Sequence, residues 1–212
     1  MHPGASTIRI LGHILQDGAI YPDSEKTAVI ANWPIPRSKK KLKSFLGLTS
    51  YFRDFIRSYA DIAYPLTELL GKRKPDRLQR GPSEQRSFEQ LKSAMMDKPL
   101  LQAADFTKDW IIMSNASQVA VSGILMQRGG SDDSKLHVVS YTSRKLLLRE
   151  RNYSTLELEL RAVVFSITKF HHYVYGRKIE VFRDHRPLQY LNSLVKHSSR
   201  LARESPHCVA EL

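Results

Sequence analysis

Glu159 and Asp184 carry carboxylates, which are suitable ligands for divalent metal ions, and both lie at the ends or flanks of predicted elements. Glu159 shares a predicted helix face with Val163 and Phe170, so we expect it to point towards packed surface. Asp184 closes a predicted strand after that helix, and two such carboxylates can meet in a crevice and hold divalent metal ions. The spacing alone favours a structural alternative. In that alternative, Glu159 is a partly buried surface acid and Asp184 caps a helix that starts near Pro187.

The helix that carries Glu159 is predicted to run from about 155 to 174. Ser154 or Thr155 can accept hydrogen bonds from its first free amides, and Gly176 lies where a left-handed residue ends a helix. The segment 179–184 is short and rich in β-forming residues, so it predicts a strand. The apolar residues that recur at helical spacing are Leu156, Leu160, Val163, Ile167, Phe170 and Val174.

Three further strands are predicted before this helix, at 110–115, 119–127 and 136–143. The first is a nearly continuous apolar run, which is typical of a strand in the middle of a sheet. Three strands in succession, a long helix and a fourth strand indicate an α/β fold with a mixed sheet. Asp132 and Asp133 lie in a glycine-rich segment that we interpret as a hairpin turn.

The first third of the chain is predicted to be a hairpin followed by a small helical bundle. The hairpin has strands at 8–15 and 16–21 with its turn at Asp17-Gly18. The basic segment 71–82 contains prolines and glycines and is interpreted as a linker. The predicted helices are 24–33 (capped by Asp23 or Ser24), 39–48 (capped by Ser38), 51–58, 62–70 and 83–98.

Charge and composition favour a nucleic acid as the partner. The 212 residues carry a formal net charge of +12, and basic residues are spread along the chain. Such a protein binds polyanions through phosphate neutralisation and counterion release. Cys208 is the only cysteine, which excludes an internal disulfide and a cysteine-based zinc site. No membrane-spanning apolar run or signal-peptide core is found. We therefore expect no membrane partner and an intracellular protein, cytoplasmic or nuclear, that is not secreted.

Several blocks, spread over about residues 10–203, resemble the pol polyprotein of gypsy-type long-terminal-repeat retrotransposons. The blocks 10–13 (ILGH) and 20–23 (IYPD) resemble the primer-grip hairpin at the end of the reverse-transcriptase palm, and 88–95 resembles the connector helix. Each block is modest, but their order and spacing together are highly specific. The blocks that resemble the thumb are 33–36 (WPIP), 42–48 (LKSFLGL), 51–56 (YFRDFI) and 63–70 (AYPLTELL). Those that resemble the ribonuclease H domain are 140–146 (SYTSRKL), 150–155 (ERNYST) and 184–188 (DHRPL).

The resemblance implies a ribonuclease H-like domain, truncated at its C-terminus and preceded by a small helical thumb of reverse transcriptase. The implied bounds are 1–74 for the primer-grip hairpin and thumb, 75–100 for a basic linker and connector helix, 101–203 for the ribonuclease H-like domain and 204–212 for a divergent tail. The polymerase palm aspartates have no counterpart here, so we expect no polymerase activity from this chain alone.

In that family, four acidic positions bind two magnesium ions that hydrolyse the RNA strand of an RNA–DNA hybrid. The resemblance therefore implies Mg²⁺ or Mn²⁺ as cofactor. It maps the first acid to Asn115, the second to Glu159 and the third to Asp184, which promotes the metal-crevice interpretation over the structural alternative. Asn115 is neutral, and the family's fourth aspartate has no match in the divergent segment 204–212. We therefore expect an impaired nuclease.

The implied partners are an RNA–DNA hybrid, a primer-template duplex and the rest of a pol polyprotein. Basic side chains interspersed with tyrosine suit contacts with phosphates and bases, although basic helix faces are also commonly only solvated. The residues expected to contact nucleic acid are Lys39, Lys40, Lys43, Arg144, Lys145, Arg151, Tyr153, Arg183 and His185.

Three hypotheses follow for the function of the chain. The first is a region of a retrotransposon reverse transcriptase with an impaired ribonuclease H-like domain, in which Glu159 and Asp184 are metal ligands and Asn115 is a defective one. The second is a nucleic-acid-binding module without catalysis. The third is a decayed reading frame without a cellular role. Metal-dependent cleavage separates the first from the second, and instability of the isolated protein would favour the third.

Overall fold

The computed structural model describes residues 7–79, 81–97, 100–129, 135–183 and 186–187. The chain divides into two units, Met1–Ala103 and Ala104–Leu212. The first unit has a sheet of four strands and the second a sheet of five, as far as the described residues show. Among the same residues, no helix is long and apolar enough to cross a membrane.

The sheet of the first unit is built from tight antiparallel turns. Its paired strands are β1 (Ile8–Ile10), β2 (His13–Gln16), β3 (Ala19–Pro22) and β4 (Leu101–Gln102). Asp17 and Gly18 have φ angles of 52° and 75°, so the predicted turn at this dipeptide is confirmed. The prediction of one strand over 8–15 is wrong. A second left-handed pair, Leu11 and Gly12, reverses the chain there and lets Ile10 pair with His13.

The helices of the first unit pack around an apolar core. They are α1 (Ser24–Ala31), α2 (Lys39–Tyr51), α3 (Tyr59–Glu68) and α4 (Pro82–Met96). The predicted caps are confirmed, since Asp23 accepts from the Glu25 amide and Ser38 from the Lys41 amide. The predicted helix over 51–58 is wrong, because α2 extends to Tyr51 and only Arg53–Phe55 forms a 3₁₀-helix. The core includes Ile30, Leu42, Phe45, Leu66, Phe88, Leu91 and Met95.

The segment predicted as a linker, 71–82, folds back on the start of α2. The Lys39 Nζ atom donates to the carbonyl oxygens of Gly71 and Lys74, at 2.8 and 2.5 Å. Ser38 also forms a backbone bridge with Arg77. The described part of this segment therefore belongs to the first unit instead of joining two units.

The second unit has the predicted α/β fold. Its elements are β5 (Trp110–Ala116), β6 (Ala120–Gly129), β7 (Lys135–Lys145), α5 (Thr155–Val174), β8 (Ile179–Arg183) and β9 (Arg186–Pro187). The strand order is β7-β6-β5-β8-β9. Strands β5 and β8 are parallel, whereas the other neighbours are antiparallel. The mixed sheet and its central apolar strand β5 are therefore confirmed.

The helix predicted to start near Pro187 would run through residues 188 onwards, which lie outside the described part of the chain. Arg186–Pro187 pairs with the end of β8, where Pro187 is opposite Phe182. Proline has no amide hydrogen to donate, which fits a two-residue strand at the end of the described strand order.

Helix α5 covers one face of the second sheet. Its buried residues Val163, Ile167 and Phe170 pack against Trp110 and Ile112 of β5. The alternate positions of the strands, among them Ile111, Met113 and Phe182, form a cluster on the other face. The two faces of the sheet are thus defined by strand alternation, and α5 is fixed to one of them.

Gly123 of β6 is the point where α5 comes closest to the sheet. A Cβ atom at this position would lie 2.2 Å from Ser166 Oγ and 2.7 Å from Ser166 Cβ. Ser166 is fully buried and its hydroxyl donates to the Ala162 carbonyl oxygen at 2.7 Å. The serine therefore has little freedom to move away.

We expect Gly123→Ala to lower the free energy of unfolding by about 1–3 kcal/mol, because the added methyl group forces α5 from the sheet. Urea denaturation of the full chain measures this change. Gly47→Ala is the matched control. Gly47 lies inside α2 with no atom within 4 Å of a built Cβ, so it should gain about 0.5–1 kcal/mol. Equal effects of the two substitutions would contradict the close approach at Gly123.

Candidate functional site

The candidate catalytic residues lie around the carboxyl ends of β5 and β8. These parallel strands are neighbours, with Ser114 in register with Arg183, the last residue of β8. Asn115 is the next residue along β5. Asp184 and His185 lie outside the described residues, so the site that can be described consists of Asn115, Glu159 and Arg183.

Asn115 is exposed at the end of β5 and is opposite Ser122 of β6. Asn115 follows Ser114, which is in register with Arg183 of β8. Its carboxamide can offer a neutral oxygen to a cation but adds no negative charge to the site.

Glu159 forms an ion pair with Arg183 between α5 and β8. The distance from Glu159 Oε2 to Arg183 Nη1 is 2.5 Å, and the two side chains are only 19% and 32% exposed. Ile179 and Val181 pack on the α5 side of β8, so alternation also directs Arg183 towards α5. The carboxylate predicted as a metal ligand thus already has a cationic partner.

The described residues do not fit a pair of divalent cations. They contain no group of three or more His, Cys, Asp or Glu side chains that could hold a metal ion. RNase H-like domains of reverse transcriptases generally depend on divalent metals, and such sites use several carboxylates to offset the repulsion between two cations. Of the residues predicted for these positions, Asn115 carries a neutral amide and Glu159 is paired with Arg183.

The three lysines predicted to contact nucleic acid have different surroundings at the start of α2. Lys40 and Lys43 are exposed. Lys39 is half-buried, because its ammonium group binds the two carbonyl oxygens of the 71–82 segment. Lys40 and Lys43 are thus the members of this group with accessible side chains.

The predicted basic residues of the second unit cluster around the connection from β7 to α5. Arg151 is exposed, while Lys145 and Tyr153 are half-buried. Arg144 donates two hydrogen bonds to the Glu150 carboxylate, at 2.6 and 2.7 Å. Its guanidinium also lies over the Phe165 ring, at 5.2 Å from the centroid. The Arg144 guanidinium is therefore fixed by contacts with Glu150 and Phe165 of the same unit.

Glu150 is the residue of this connection that the sequence reasoning missed. Its side chain is completely buried, and it accepts hydrogen bonds from Arg144, from Arg161 Nε at 2.8 Å and from the Leu147 amide at 2.8 Å. Burial opposes ionisation, but these donors outweigh it and lower the pKa of Glu150 to about 2. A short 3₁₀-helix, Leu148–Asn152, presents the carboxylate. The only sequence signal was an acid among arginines, which is also common on solvated surfaces.

Comparison with known proteins gives the family. Residues 81–181 match the RNase H-like domain found in reverse transcriptase. The chain is 39% identical over 193 residues to the retrovirus-related Pol polyprotein from transposon 297 of Drosophila melanogaster, covering 91% of this chain and 18% of that protein. It is 30% identical over 202 residues to the Tf2-3 transposon polyprotein of Schizosaccharomyces pombe, covering 93% and 15%. This chain therefore matches the reverse transcriptase and RNase H region of retrotransposon Pol polyproteins.

Solved structures agree with the RNase H-like fold of this Pol region. A foamy viral protease-reverse transcriptase in complex with double-stranded DNA superposes with a TM-score of 0.73 and 24% identity, covering 90% of this chain and 38% of that one. The same kind of enzyme in complex with an RNA/DNA hybrid gives a TM-score of 0.72, with 88% and 25% coverage. The Pol region described here spans less than a fifth of the length of the curated relatives named above.

We expect Glu150→Gln to lower the free energy of unfolding by about 3 kcal/mol at neutral pH, because it leaves two arginines without their buried counter-ion. Glu180→Gln is the matched control. Glu180 pairs with Arg128 at 3.1 Å, but the two side chains are 39% and 48% exposed, so the loss should stay below about 1 kcal/mol. Urea denaturation measures both, and similar losses would argue against a structural role of the buried carboxylate.

The pH dependence of stability offers a second test of Glu150. Its pKa falls from an ordinary value of 4.5 to about 2 on folding, so the stabilisation is fully present above 4.5 and is lost as the pH falls towards 2. We therefore expect the unfolding free energy of the wild-type chain to decrease more steeply over this range than that of Glu150→Gln. Parallel curves for the two proteins would contradict the assignment.

Proposed function

We propose that this Pol region binds RNA–DNA hybrids and that its inherited reaction, the hydrolysis of the RNA strand with Mg²⁺ or Mn²⁺, is strongly impaired. The observation that carries the proposal is the neutral side chain of Asn115 at the end of β5, beside the end of β8. A carboxylate at this position would help to offset the charge of two metal ions. Glu159 and Asp184 correspond to the other metal-ligand positions that the resemblance implies; Glu159 is paired with Arg183, and Asp184 lies outside the described residues.

The binding part of the proposal is supported by charge and by fold. A formal net charge of +12 favours contact with phosphates, and Lys40, Lys43 and Arg151 are exposed. Two structures with the same fold hold double-stranded DNA and an RNA/DNA hybrid. We propose the same ligand classes, a hybrid or a primer-template duplex, for this chain.

We also propose that successive segments of the chain have different roles. Residues 1–74 act as the primer-grip hairpin and thumb, 75–100 as the connector, and 101–203 as the RNase H-like domain. Strand β4, Leu101–Gln102, pairs with β3, so the last residues of the first unit extend slightly past the proposed connector. The remaining parts of a Pol polyprotein are the proposed protein partners.

A second candidate function is hybrid binding without any hydrolysis. The ion pair between Glu159 and Arg183 favours it, because a carboxylate held by a guanidinium is less available to a metal ion. The two candidates share the binding step and differ only in the response of cleavage to position 115.

We expect Asn115→Asp to cleave a labelled RNA–DNA hybrid about a hundredfold faster than the wild-type chain, because a few kcal/mol of transition-state stabilisation gives changes of this size. The measurement is single-turnover cleavage with Mg²⁺ and with Mn²⁺. Asn152→Asp adds the same charge at an exposed residue of the 3₁₀-helix before α5 and is the control. Hybrid binding without cleavage in all three proteins would favour the non-catalytic candidate.

We expect the double substitution Lys40→Gln/Lys43→Gln to weaken hybrid binding and to reduce the slope of log K against log salt by about 2, since each phosphate contact contributes about 1. Fluorescence anisotropy at several salt concentrations measures the slope. Lys39→Gln is the control, and its slope should stay near that of the wild type because its ammonium group binds backbone carbonyls. Absence of salt-dependent binding by the wild-type chain would refute the proposed function itself.

A further inference from the structure

The Glu159 carboxylate of the RNase H-like domain already binds a cation that belongs to the chain. Arg183 Nη1 lies 2.5 Å from Glu159 Oε2, a short distance for a charge-assisted hydrogen bond. Both side chains are more than half buried, so solvent screens this pair less than it screens an exposed one. The arginine therefore already binds one of the two Glu159 oxygens through which the carboxylate could hold a metal.

The fold keeps this arginine in place from both sides. Helix α5 is fixed to the sheet by its buried apolar residues, which determines where Glu159 lies. Strand β8 pairs with β5 up to Ser114 and Arg183, and its residues Ile179 and Val181 pack on the α5 side. Because alternate residues of a strand share a face, Arg183 has to point to the same side.

The charge of the described site opposes a divalent cation. Glu159 and Arg183 compensate each other, so this pair carries no net charge. A metal bound by Glu159 would lie close to this guanidinium, which is covalently attached to β8. Like charges a few ångströms apart repel strongly in a partly buried site.

We propose that Arg183 takes the place of a divalent cation at Glu159 and contacts nucleic-acid phosphate directly, so that hybrid binding by this chain needs no metal. The phosphate contact rests on the hybrid binding proposed above. A guanidinium has five N–H donors in a planar fork, so it can bind a carboxylate and a phosphate oxygen at the same time. Glu159 is then the positioning residue that orients Arg183.

The first test measures Mn²⁺ binding to the full chain without nucleic acid, from the electron paramagnetic resonance signal of free Mn²⁺. We expect Arg183→Gln to bind Mn²⁺ on the order of tenfold more tightly than the wild type, because a nearby positive charge is removed. Arg128→Gln is the matched control, since it breaks the exposed ion pair with Glu180 in the same domain. Adding Glu159→Gln to Arg183→Gln should abolish the gain.

Two outcomes of this measurement would overturn the metal-replacement part of the proposal. One is a wild-type Mn²⁺ site that is lost in Glu159→Gln, since the carboxylate would then bind metal in spite of Arg183. The other is an equal Mn²⁺ affinity of Arg183→Gln, Arg128→Gln and the wild type. Arg183→Lys keeps the positive charge and should exclude Mn²⁺ as the wild type does, which separates an effect of charge from a loss of folding.

The second test compares hybrid binding by the wild-type chain in EDTA and in Mg²⁺, and it needs no variant. We expect dissociation constants equal within about twofold at matched ionic strength, because the phosphate contact comes from arginine. Binding that requires Mg²⁺ would overturn the inference while leaving the proposed hybrid binding intact. Lack of binding under both conditions would remove the proposed function and the phosphate contact, whereas the Mn²⁺ measurement would still decide whether Arg183 excludes metal.

Discussion

The second unit depends on one buried charge, the Glu150 carboxylate. Its donors come from three places in the chain: Arg144 of β7, the Leu147 amide of the connection and Arg161 of α5. A buried ion without all its partners is costly, so the four groups can only be satisfied together. The carboxylate thereby fixes the route of the chain from the edge of the sheet to the helix. Every residue that α5 contributes, Glu159 included, is positioned through this connection and through the apolar face of the helix.

The second unit has glutamate–arginine ion pairs at Glu150 and at Glu159, and the two have different consequences. The Glu150 carboxylate is completely buried and pairs with the guanidinium groups of Arg144 and Arg161, so it links β7 to α5. At Glu159 the pair is partly exposed and lies at the carboxyl ends of two parallel strands. That edge is where α/β sheets commonly bind ligands. The two ion pairs thus differ in burial, because the Glu150 carboxylate is fully enclosed whereas the Glu159–Arg183 pair is partly exposed.

Sequence patterns predicted the elements in which buried apolar residues recur at a regular spacing. Strand β5 and helix α5 are examples, because each carries an apolar pattern that reflects its own position in the core. The patterns failed where long-range pairing decides the structure. Strand β4 has only two residues and forms through its partner β3, and β9 exists only as a partner of β8. The left-handed turn at Leu11 and Gly12 was not predicted, because the residue pattern of 8–15 is compatible with one continuous strand.

At the candidate site, the sequence predicted which residues are present but not which neighbours surround them. The neutral side chain at Asn115 could be read from the sequence, since it needs only an alignment of motifs. The partner of Glu159 could not, because Arg183 approaches it from another element across a parallel crossover. Motifs identify which carboxylates a family uses, whereas the neighbours in three dimensions decide whether each carboxylate is free to bind a metal. The proposed site therefore combines a neutral amide at the end of β5 with a positive charge at the end of β8. In the proposal made above, both features favour direct contact with phosphate over metal binding.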